Sequence, residues 1–234
     1  MKRIVNVSGG MASGECLFRV KEAFPGEEIF AGFADTLCES ADTYRFLDDL
    51  ERVSGIPIAR LSDGRNCWDV WFSSLMFTTG LNNGCKASWE LKKKPLEGWR
   101  TSFAAPQDAV IYIGFGPDEH GRQLRIRESK PWSYDFPLMW KPWLKRCDLA
   151  DGLRKRGIEP PAIYADGYKH NNCSGACILA GIGQWTGLLH DNPTLFAEYE
   201  EKEQRFLAGL RERENRNHDF EGSAGRGCQK YVAP

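Results

Sequence analysis

A glycine-containing loop near the N-terminus carries the groups best suited to bind an anion. It follows the first apolar run of the chain and has the sequence Ser-Gly-Gly-Met-Ala-Ser-Gly over residues 8–14. Successive backbone N–H groups, together with the positive end of a helix that follows, favour a phosphate there. The loop is neither a Walker A motif nor the Gly-x-Gly-x-x-Gly dinucleotide fingerprint. On these residues alone, a phosphate loop and a tight turn without a ligand both stay open.

The chain contains eight cysteines, and in a reducing compartment these have little reason to form disulfides. Four of them lie beside small or polar residues and are the predicted metal ligands, namely Cys85, Cys173, Cys177 and Cys228. Four thiolates suit either a [4Fe–4S] cluster or a structural zinc ion. The sequence lacks the paired Cys-x-x-Cys knuckles of zinc ribbons, which favours the cluster and leaves zinc as the alternative.

One further cysteine has a setting that favours reactivity. Cys38 follows Asp35-Thr36 at the end of a predicted strand, where a neighbouring helix N-terminus would stabilise a thiolate. We therefore predict that Cys38 is reactive and that Asp35 faces a ligand. The other cysteines are predicted to be small buried apolar residues, namely Cys16, Cys67 and Cys147.

A charged cluster follows a later strand. Two acidic residues at 118–119 precede Arg122, whose guanidinium could hold a phosphate or sulfate through two hydrogen bonds. A solvated turn is the alternative interpretation of the same residues. The predicted catalytic residues are therefore Asp35, Cys38 and Arg122. The lysine run at 92–94 is interpreted as a solvated face that could also guide an anionic substrate.

Strands that alternate with helices would position these residues. Hydrophobic patterning predicts strands at 2–7, 29–34, 56–61 and 109–114, and helices at 14–23, from Ser40 to Gly55 and at 198–214. This alternation indicates βαβ units and a parallel sheet with right-handed crossovers. Because such sheets bind ligands at the carboxyl ends of their strands, we expect the glycine loop and Asp35 at one edge.

Composition and charge exclude several classes of protein. The 234 residues are 41% hydrophobic and 27% charged, as in an ordinary globular domain with a large core. With 31 Lys and Arg against 32 Asp and Glu, the net charge of -1 argues against a protein that coats nucleic acid by bulk electrostatics. No apolar run reaches the roughly 20 residues that span a bilayer, so we expect no membrane partner and a cytoplasmic location. Signature motifs of α/β-hydrolases, zinc proteases and kinases are absent.

Several short motifs occur in an order that resembles a known family. The loop matches the Ser-Gly-Gly-x-Asp-Ser pattern of pyrophosphatase-loop proteins at Ser8, Gly9, Gly10 and Ser13, with Ala12 in the acidic position. Further matches are Phe33-Ala34-Asp35-Thr36 followed by Glu39 and Thr43, the Gly114–Arg122 element, Phe136-Pro137-Leu138 with Trp140, and Asn171-Asn172-Cys173-Ser174-Gly175-Ala176-Cys177 with Trp185, Leu189 and Pro193. Together they cover nearly the whole chain. In this order they resemble the phosphoadenosine phosphosulfate reductase-like family, including members often carried by phages.

The resemblance implies an α/β fold of the adenine nucleotide alpha-hydrolase type, with a twisted parallel sheet and helices on both faces. It implies an adenine-nucleotide-binding domain at 1–165 and a cysteine-containing, helical C-terminal segment at 166–234 packed on it. The loop would hold the nucleotide phosphates, and the strand-end carboxylate would face the nucleotide or Mg²⁺. The cofactor-binding residues so implied are Ser8, Gly9, Gly10, Ser13, Asp35 and Thr36. Related members carry cysteines in the same regions and bind [4Fe–4S] clusters.

Three functions are consistent with the resemblance. The first is an ATP pyrophosphatase and sulfurtransferase-like enzyme with a [4Fe–4S] cluster and Mg²⁺, acting on tRNA or DNA. The second is a reductase whose cysteine thiolate attacks the sulfur of phosphoadenosine phosphosulfate; it comes second because the C-terminal Glu-Cys-Gly motif of assimilatory reductases is absent. The third, favoured by Ala12, is a non-catalytic nucleotide-binding phage accessory protein. A bacterial or phage-infected cell is the expected setting, and a homodimer is kept as a candidate assembly.

Overall fold

Five parallel strands form one sheet in the part of the chain that the computed structural model describes, residues 1–79 and 84–221. The strands are β1 (Lys2–Val7), β2 (Ile29–Ala34), β3 (Ile58–Leu61), β4 (Ala109–Ile113) and β5 (Ser133–Asp135). Their order across the sheet is β3-β2-β1-β4-β5, so β1 lies in the centre. The register pairs Val5 of β1 with Ala31 of β2 and with Tyr112 of β4.

The helices of the described residues follow the strands along the chain. They are α1 (Met11–Ala23), α2 (Ala41–Ser54), α3 (Cys67–Ser74), α4 (Lys94–Thr101), α5 (His120–Arg127), α6 (Arg146–Lys155), α7 (Ile182–Asp191) and α8 (Pro193–Glu221). A π-helical turn at Ser88–Lys93 runs directly into α4. No helix in this part of the chain is both long and apolar enough to span a bilayer.

Helix α2 begins and ends at residues suited to those positions. Ser40 Oγ accepts a hydrogen bond from the N–H of Thr43 at 3.2 Å and so caps the N-terminus. Gly55 adopts the left-handed conformation with φ at 68°, which ends the helix. The helix predicted between Ser40 and Gly55 is therefore confirmed.

Helices cover both faces of the sheet, which confirms the predicted fold class. On one face, α1, α2 and α6 form a core that includes Leu17, Phe46 and Leu153. On the other face, the indole of Trp99 in α4 lies against Gly32 of β2, where a Cβ would come within 2.6 Å of the ring. Burial from both sides explains why β2 is a nearly continuous apolar run rather than an alternating one.

A separate apolar region contains several of the cysteines, and we call it the cysteine-rich core. It is formed by α3, the π-helical turn, the segment before α7, and α7 and α8. Trp71 is among its fully buried side chains. Cys67 and Cys173 are buried in it, while Cys38 and Cys85 pack against it. The fold therefore gathers thiols from segments that are far apart in the sequence.

Some elements differ from their predicted bounds. α1 begins at Met11 rather than at residue 14, because the second half of the loop already forms the first helical turn. β3 begins at Ile58 rather than at 56, since Pro57 has no N–H to donate to the strand ladder. β5 lies outside the predicted strands, because three residues are too few for a hydrophobic period to emerge. The domain boundary expected at residue 165 stays a prediction.

Candidate functional site

The chain changes direction across the sheet at β1, and the candidate site lies there. From β1 the chain continues to β2 and β3 on one side, and later to β4 and β5 on the other. At such a switch point, the loops at the carboxyl ends of the strands diverge and leave a crevice for a ligand. A Cβ at Gly114, just after β4, would lie 2.5 Å from the carbonyl oxygen of Ala12. The end of β4 and the first turn of α1 are therefore in close backbone contact.

Side chains within the loop after β1 hold it in one conformation. Ser13 Oγ donates to the carbonyl of Gly10 at 2.8 Å and accepts from the N–H of Ser8 at 3.0 Å. Gly9 has φ at 75°, and a Cβ there would meet Thr43 at 2.5 Å, so the position requires glycine. The first N–H groups of α1 have no acceptor within the helix, which leaves them directed toward an anion or another side chain.

A tyrosine from the segment before α7 covers these donors. The Tyr164 hydroxyl lies so near that a Cβ on Gly10 would be 2.7 Å from it. Burial raises the pKa of Tyr164, and the nearby backbone N–H groups of Met11 and Asn171 act in the opposite direction. The hydroxyl would therefore compete with any phosphate oxygen that approached these N–H groups. The sequence carries no motif around Tyr164, because the residue reaches the loop from a distant part of the chain.

Asn171 ties the same segment to the loop. Its Nδ2 donates to the carbonyl of Gly9 at 2.9 Å and to Thr43 Oγ1 at 3.0 Å. Its Oδ1 is buried and has no hydrogen-bond partner among the described residues. The fold thus brings the start of the Asn171–Cys177 motif against the glycine loop.

A cleft of about 610 Å³ opens beside Met11 and Tyr164. Its wall includes three arginines, of which Arg146 lies 5.0 Å from the centre of the Tyr164 ring. Arg45 and Arg154 of the same wall are paired with acidic side chains. This volume is in the range of small-molecule sites. The cleft is therefore large enough for a nucleotide.

Asp35 and Thr36 are buried at the carboxyl end of β2. Asp35 Oδ1 accepts from the N–H of Leu37 at 2.9 Å and from the hydroxyl of Tyr44 at 2.8 Å. Thr36 Oγ1 donates to Glu39 Oε1 at 3.1 Å. These bonds orient both side chains and leave Asp35 Oδ2 as the candidate ligand atom.

Glu39 links three segments at this edge of the sheet. Its buried carboxylate accepts from Lys92 Nζ at 3.2 Å and from the N–H of Cys173 at 3.2 Å. Burial would lower the pKa of Lys92, but the Glu39 carboxylate and nearby thiols raise it overall. Lys92 therefore turns toward the cysteine-rich core, contrary to the solvated face predicted for residues 92–94, whereas Lys94 pairs with Glu90 at the surface.

Cys38 lies where the loop after β2 meets the N-terminus of α3. Its Sγ accepts a hydrogen bond from the backbone N–H of Cys67 at 3.4 Å. Hydrogen bonding from the Cys67 thiol lowers the pKa of Cys38 to about 7, against the opposite effect of burial. The Ser174 hydroxyl donates to the carbonyl of Cys38 at 3.0 Å, which connects this residue to the segment that covers the loop. Such an environment favours a reactive thiolate.

Cys67 was predicted to be a small buried apolar residue, but its thiol also interacts with two other cysteines. It is buried as expected. Hydrogen bonding with the sulfur atoms of Cys173 and Cys38 also raises the pKa of Cys67, so this thiol stays protonated and can donate. Cys38 and Cys67 are 29 positions apart, and no local motif joins them. Only the packing of α3 against the end of β2 makes them neighbours.

Three of the four predicted metal ligands lie in one region. Cys173 is buried, and Cys85 and Cys177 are partly buried near it. Burial raises the pKa of both Cys85 and Cys177, and the neighbouring Cys173 contributes to each rise. The fourth predicted ligand, Cys228, lies outside the described residues. Within residues 1–79 and 84–221, no three His, Cys, Asp or Glu side chains are arranged to hold a metal ion.

Unpartnered donors in the cysteine-rich core bear on whether an iron–sulfur cluster fits there. The indole N–H groups of Trp68 and Trp71 are buried and have no aligned acceptor in the part of the chain described. The Trp71 indole faces the Cys85 thiol closely enough to lower its pKa against the larger effect of burial. Buried N–H groups beside thiols suit the sulfur atoms of a cluster. The donors fit such a group, and Cys85, Cys173 and Cys177 lie in one region, although the described residues are not arranged to hold its metal in this structure.

Other sequence-predicted residues lie elsewhere. Arg122 is exposed on α5, where it pairs with Glu119 and lies 4.3 Å from the centre of the Phe115 ring. Cys16 is buried as predicted, whereas Cys147 is exposed, because its place in the first turn of α6 puts it in the wall of the cleft. The prediction that Cys147 is buried is therefore wrong.

Glu15 is the first acidic residue after the loop in which Ala12 takes the acidic position, and it is already paired. Its buried carboxylate contacts Arg19 at 3.4 Å and Arg156 at 3.0 Å. Burial raises the pKa of Glu15 in spite of these two arginines. The carboxylate is therefore part of the packing between α1 and α6, and Asp35 is the acid that lies at the strand end.

Comparison with known proteins bears on the fold. No family model and no curated protein matches the chain. Among solved structures, it is similar to the crystal structure of a phosphoadenylyl-sulfate (PAPS) reductase from Candida auris in complex with phosphate, with a TM-score of 0.52. The two chains are 11% identical over 73% of this chain and 80% of the reductase. At this identity the likeness establishes the α/β fold, in agreement with the fold expected from the sequence.

Proposed function

We propose that the protein is an adenine-nucleotide-dependent enzyme of sulfur chemistry in which the Cys38 thiolate is the sulfur acceptor. The observation that carries this proposal is the position of Cys38 Sγ, 3.4 Å from the N–H of Cys67 at the carboxyl edge of the sheet. A pKa of about 7 makes Cys38 a nucleophile at neutral pH. The Ser174 hydroxyl and Asn171 amide connect it to the glycine loop.

The nucleotide would be held by the residues that surround the loop. The N–H groups at the start of α1 would contact its phosphates, with Ser8 and Ser13 keeping the loop in shape. Asp35 and Thr36 would face the nucleotide from the neighbouring strand end. Arg122 stays a candidate for a second phosphate contact. Binding would require the Tyr164 hydroxyl to leave the N–H of Met11 or to share it with a phosphate oxygen.

The reaction that the described residues support best is attack of Cys38 on the sulfur of a nucleotide phosphosulfate, as in a phosphoadenosine phosphosulfate reductase. The thiolate forms a bond to sulfur, the bond between sulfur and the bridging oxygen breaks, and the nucleotide leaves with that electron pair. Two features favour this reaction over cleavage of ATP. Ala12 offers no carboxylate for Mg²⁺, and Glu15 is already paired with two arginines.

An ATP-dependent sulfurtransferase with a [4Fe–4S] cluster is the second candidate. The convergence of Cys85, Cys173 and Cys177 on one region favours it, with Cys228 as the proposed fourth ligand and zinc as the alternative metal. Such a cluster would supply electrons or a sulfur atom when bound. Asp35 would hold Mg²⁺, and the acceptor of sulfur would be tRNA or DNA.

Two assays separate these functions. Anaerobic protein would be mixed with phosphoadenosine phosphosulfate and quenched in acid, and mass spectrometry of the Cys38 peptide should show the addition of one SO₃ group. Cys38→Ala should abolish the adduct, whereas Cys16→Ala, a change at a buried thiol of α1 outside the cleft wall, should not. Pyrophosphate release from ATP and Mg²⁺ without any adduct would instead support the sulfurtransferase. Nucleotide binding without either reaction would contradict both and indicate a non-catalytic binding protein.

Iron and sulfide analysis of anaerobically purified protein tests the cluster separately. If the proposed ligands hold one, single alanine replacements of Cys85, Cys173, Cys177 and Cys228 should each lower the iron content, and Cys147→Ala should not. Zinc without iron or sulfide in the wild-type protein would replace the cluster by the structural zinc ion. Iron content that is unchanged in three of the four variants would contradict the ligand set.

A further inference from the structure

The thiols of Cys38 and Cys67 are held together by contacts on both sides. Cys67 is the first residue of α3, and its backbone N–H donates to Cys38 Sγ at 3.4 Å. On the α3 side, Asn66 Oδ1 accepts from the N–H of Trp68 at 2.8 Å and forms a capping box with Asp69. The backbone of Cys67 is therefore fixed relative to the Cys38 sulfur.

Hydrogen bonds also hold the loop that carries Cys38. The Cys38 carbonyl accepts from the Ser174 hydroxyl at 3.0 Å, and the N–H of Leu37 donates to Asp35 Oδ1 at 2.9 Å. Bringing two thiols within bonding reach normally costs loop-closure entropy. In the folded protein this entropy has already been lost, because hydrogen bonds hold the backbones of Cys38 and Cys67 in place.

The two thiols differ in their access to solvent. Cys38 is partly exposed, whereas Cys67 is buried in the cysteine-rich core with 2% of its surface accessible. A substrate or reagent from solvent can therefore reach Cys38, whereas Cys67 is shielded. A sulfur group attached to Cys38 would nevertheless stay beside Cys67, whose N–H lies 3.4 Å from the Cys38 sulfur.

We propose that Cys67 is the resolving thiol for Cys38, so that the pair cycles between a dithiol and a disulfide. The identity of the sulfur donor, a nucleotide phosphosulfate, depends on the proposed function, whereas formation of the Cys38–Cys67 disulfide does not. Cys67 would thus act as a second catalytic thiol next to the nucleophile Cys38. The cycle requires a dithiol reductant as its co-substrate.

The electrons of this cycle balance. Once Cys38 carries SO₃, the sulfur of Cys67 attacks Cys38 Sγ, a Cys38–Cys67 bond forms, and the bond from Cys38 to the sulfonate sulfur breaks. The electron pair leaves with sulfite, which also takes the proton of Cys67 directly or through water. Two thiols are oxidised to one disulfide while the sulfonate is reduced to sulfite. A dithiol from solution then restores both thiols by thiol–disulfide exchange at the exposed Cys38 sulfur.

Cys173 is the competing partner, since it also contacts Cys67. However, Cys67 and Cys173 are both buried, whereas Cys38 is partly exposed and can meet a substrate or an oxidant from solution. Oxidation therefore starts at Cys38, and the Cys67 N–H bond to the Cys38 sulfur makes Cys38–Cys67 the expected disulfide.

The first experiment needs no nucleotide. The full-length protein is equilibrated in glutathione buffers of increasing oxidation, quenched in acid and mapped by mass spectrometry. Wild type and Cys147→Ala should form the Cys38–Cys67 disulfide, whereas Cys67→Ser should carry glutathione on Cys38. A Cys67–Cys173 disulfide, or glutathione on Cys38 of the wild type with no internal bond, would overturn the proposal. Thermal unfolding of Cys67→Ser, with Cys67→Ala as a second variant, checks that the replacement leaves the protein folded.

The second experiment tests resolution in a single turnover with phosphoadenosine phosphosulfate and no added thiol. Wild type should release one sulfite per chain, while Cys67→Ser should stop at the SO₃ adduct until dithiothreitol is added. Release of sulfite by Cys67→Ser at the wild-type rate would overturn the resolving role. If no variant forms an adduct but the disulfide forms in glutathione buffer, the proposed donor fails and the thiol couple stands.

Discussion

Replacing Cys67 with alanine removes the group that contributes most to the low pKa of Cys38. In the wild type, hydrogen bonding from the Cys67 thiol and, to a smaller extent, from its backbone N–H lowers that pKa from 9.0 to about 7. Alanine keeps the backbone donor and removes the thiol donor. We expect the pKa of Cys38 to rise, because burial and Glu39 still raise it, and we take its ordinary value of 9.0 as the limit for the calculation.

The size of the effect on reactivity can be worked out from this limit. At pH 7 the thiolate fraction would fall from about one half to about one hundredth, a loss of roughly fiftyfold. A thiolate of higher pKa is also a better nucleophile, and with a Brønsted coefficient of about 0.45 the gain is roughly eightfold. The net rate of alkylation at pH 7 should therefore fall by up to about sixfold, whereas the rate at high pH should rise by up to about eightfold.

Iodoacetamide labelling of the Cys38 peptide, followed by mass spectrometry from pH 5 to 11, measures both limits. The two pH profiles should cross, because the fraction of thiolate and its nucleophilicity change in opposite directions. The same pKa predicts that ionised Cys38 stabilises the fold fully above the unfolded value near 9.0, and that this contribution is lost as the pH falls through about 7. A wild-type midpoint near 9, or identical profiles for wild type and Cys67→Ala, would refute the hydrogen-bonded thiol pair.

Three further changes test the site. Gly114→Ala should lower the free energy of unfolding by about 1–3 kcal/mol, because the new Cβ would lie 2.5 Å from the backbone of the first turn of α1. Gly121→Ala is the control: its Cβ would meet open space in α5, so the Tm should be unchanged or higher. Tyr164→Phe should bind nucleotide about 2- to 10-fold more tightly in calorimetry, since it frees a loop N–H, and unchanged or weaker binding would count against the competing hydroxyl. Glu39→Gln should lower the free energy of unfolding in urea by about 1–3 kcal/mol. The loss should be smaller than for a fully buried pair, because the Lys92 side chain is 27% exposed. An unchanged free energy of unfolding would contradict the pairing of Glu39 with Lys92.

Local patterns predicted the parts of this fold that depend on neighbouring residues. The helix from Ser40 to Gly55 has a capping side chain at one end and a glycine in the left-handed region at the other, and both effects act within a few residues. The short strand β5 and the π-helical turn at Ser88–Lys93 lack such signals. Pairing with β4 and packing against the cysteine-rich core determine them, and these contacts are distant in sequence.

The same division applies to the candidate site. Glycine spacing after β1 and the strand-end acid were visible in the sequence, because the turn and the parallel sheet place both at one edge. Cysteine counts also indicated that thiols matter, but not which of them meet. The pairing of Cys38 with Cys67, the approach of Tyr164 to the loop and the inward turn of Lys92 depend on segments that meet after folding. Burial, charge and hydrogen bonding at these positions come from such long-range neighbours, so residue types and spacing could not reveal them.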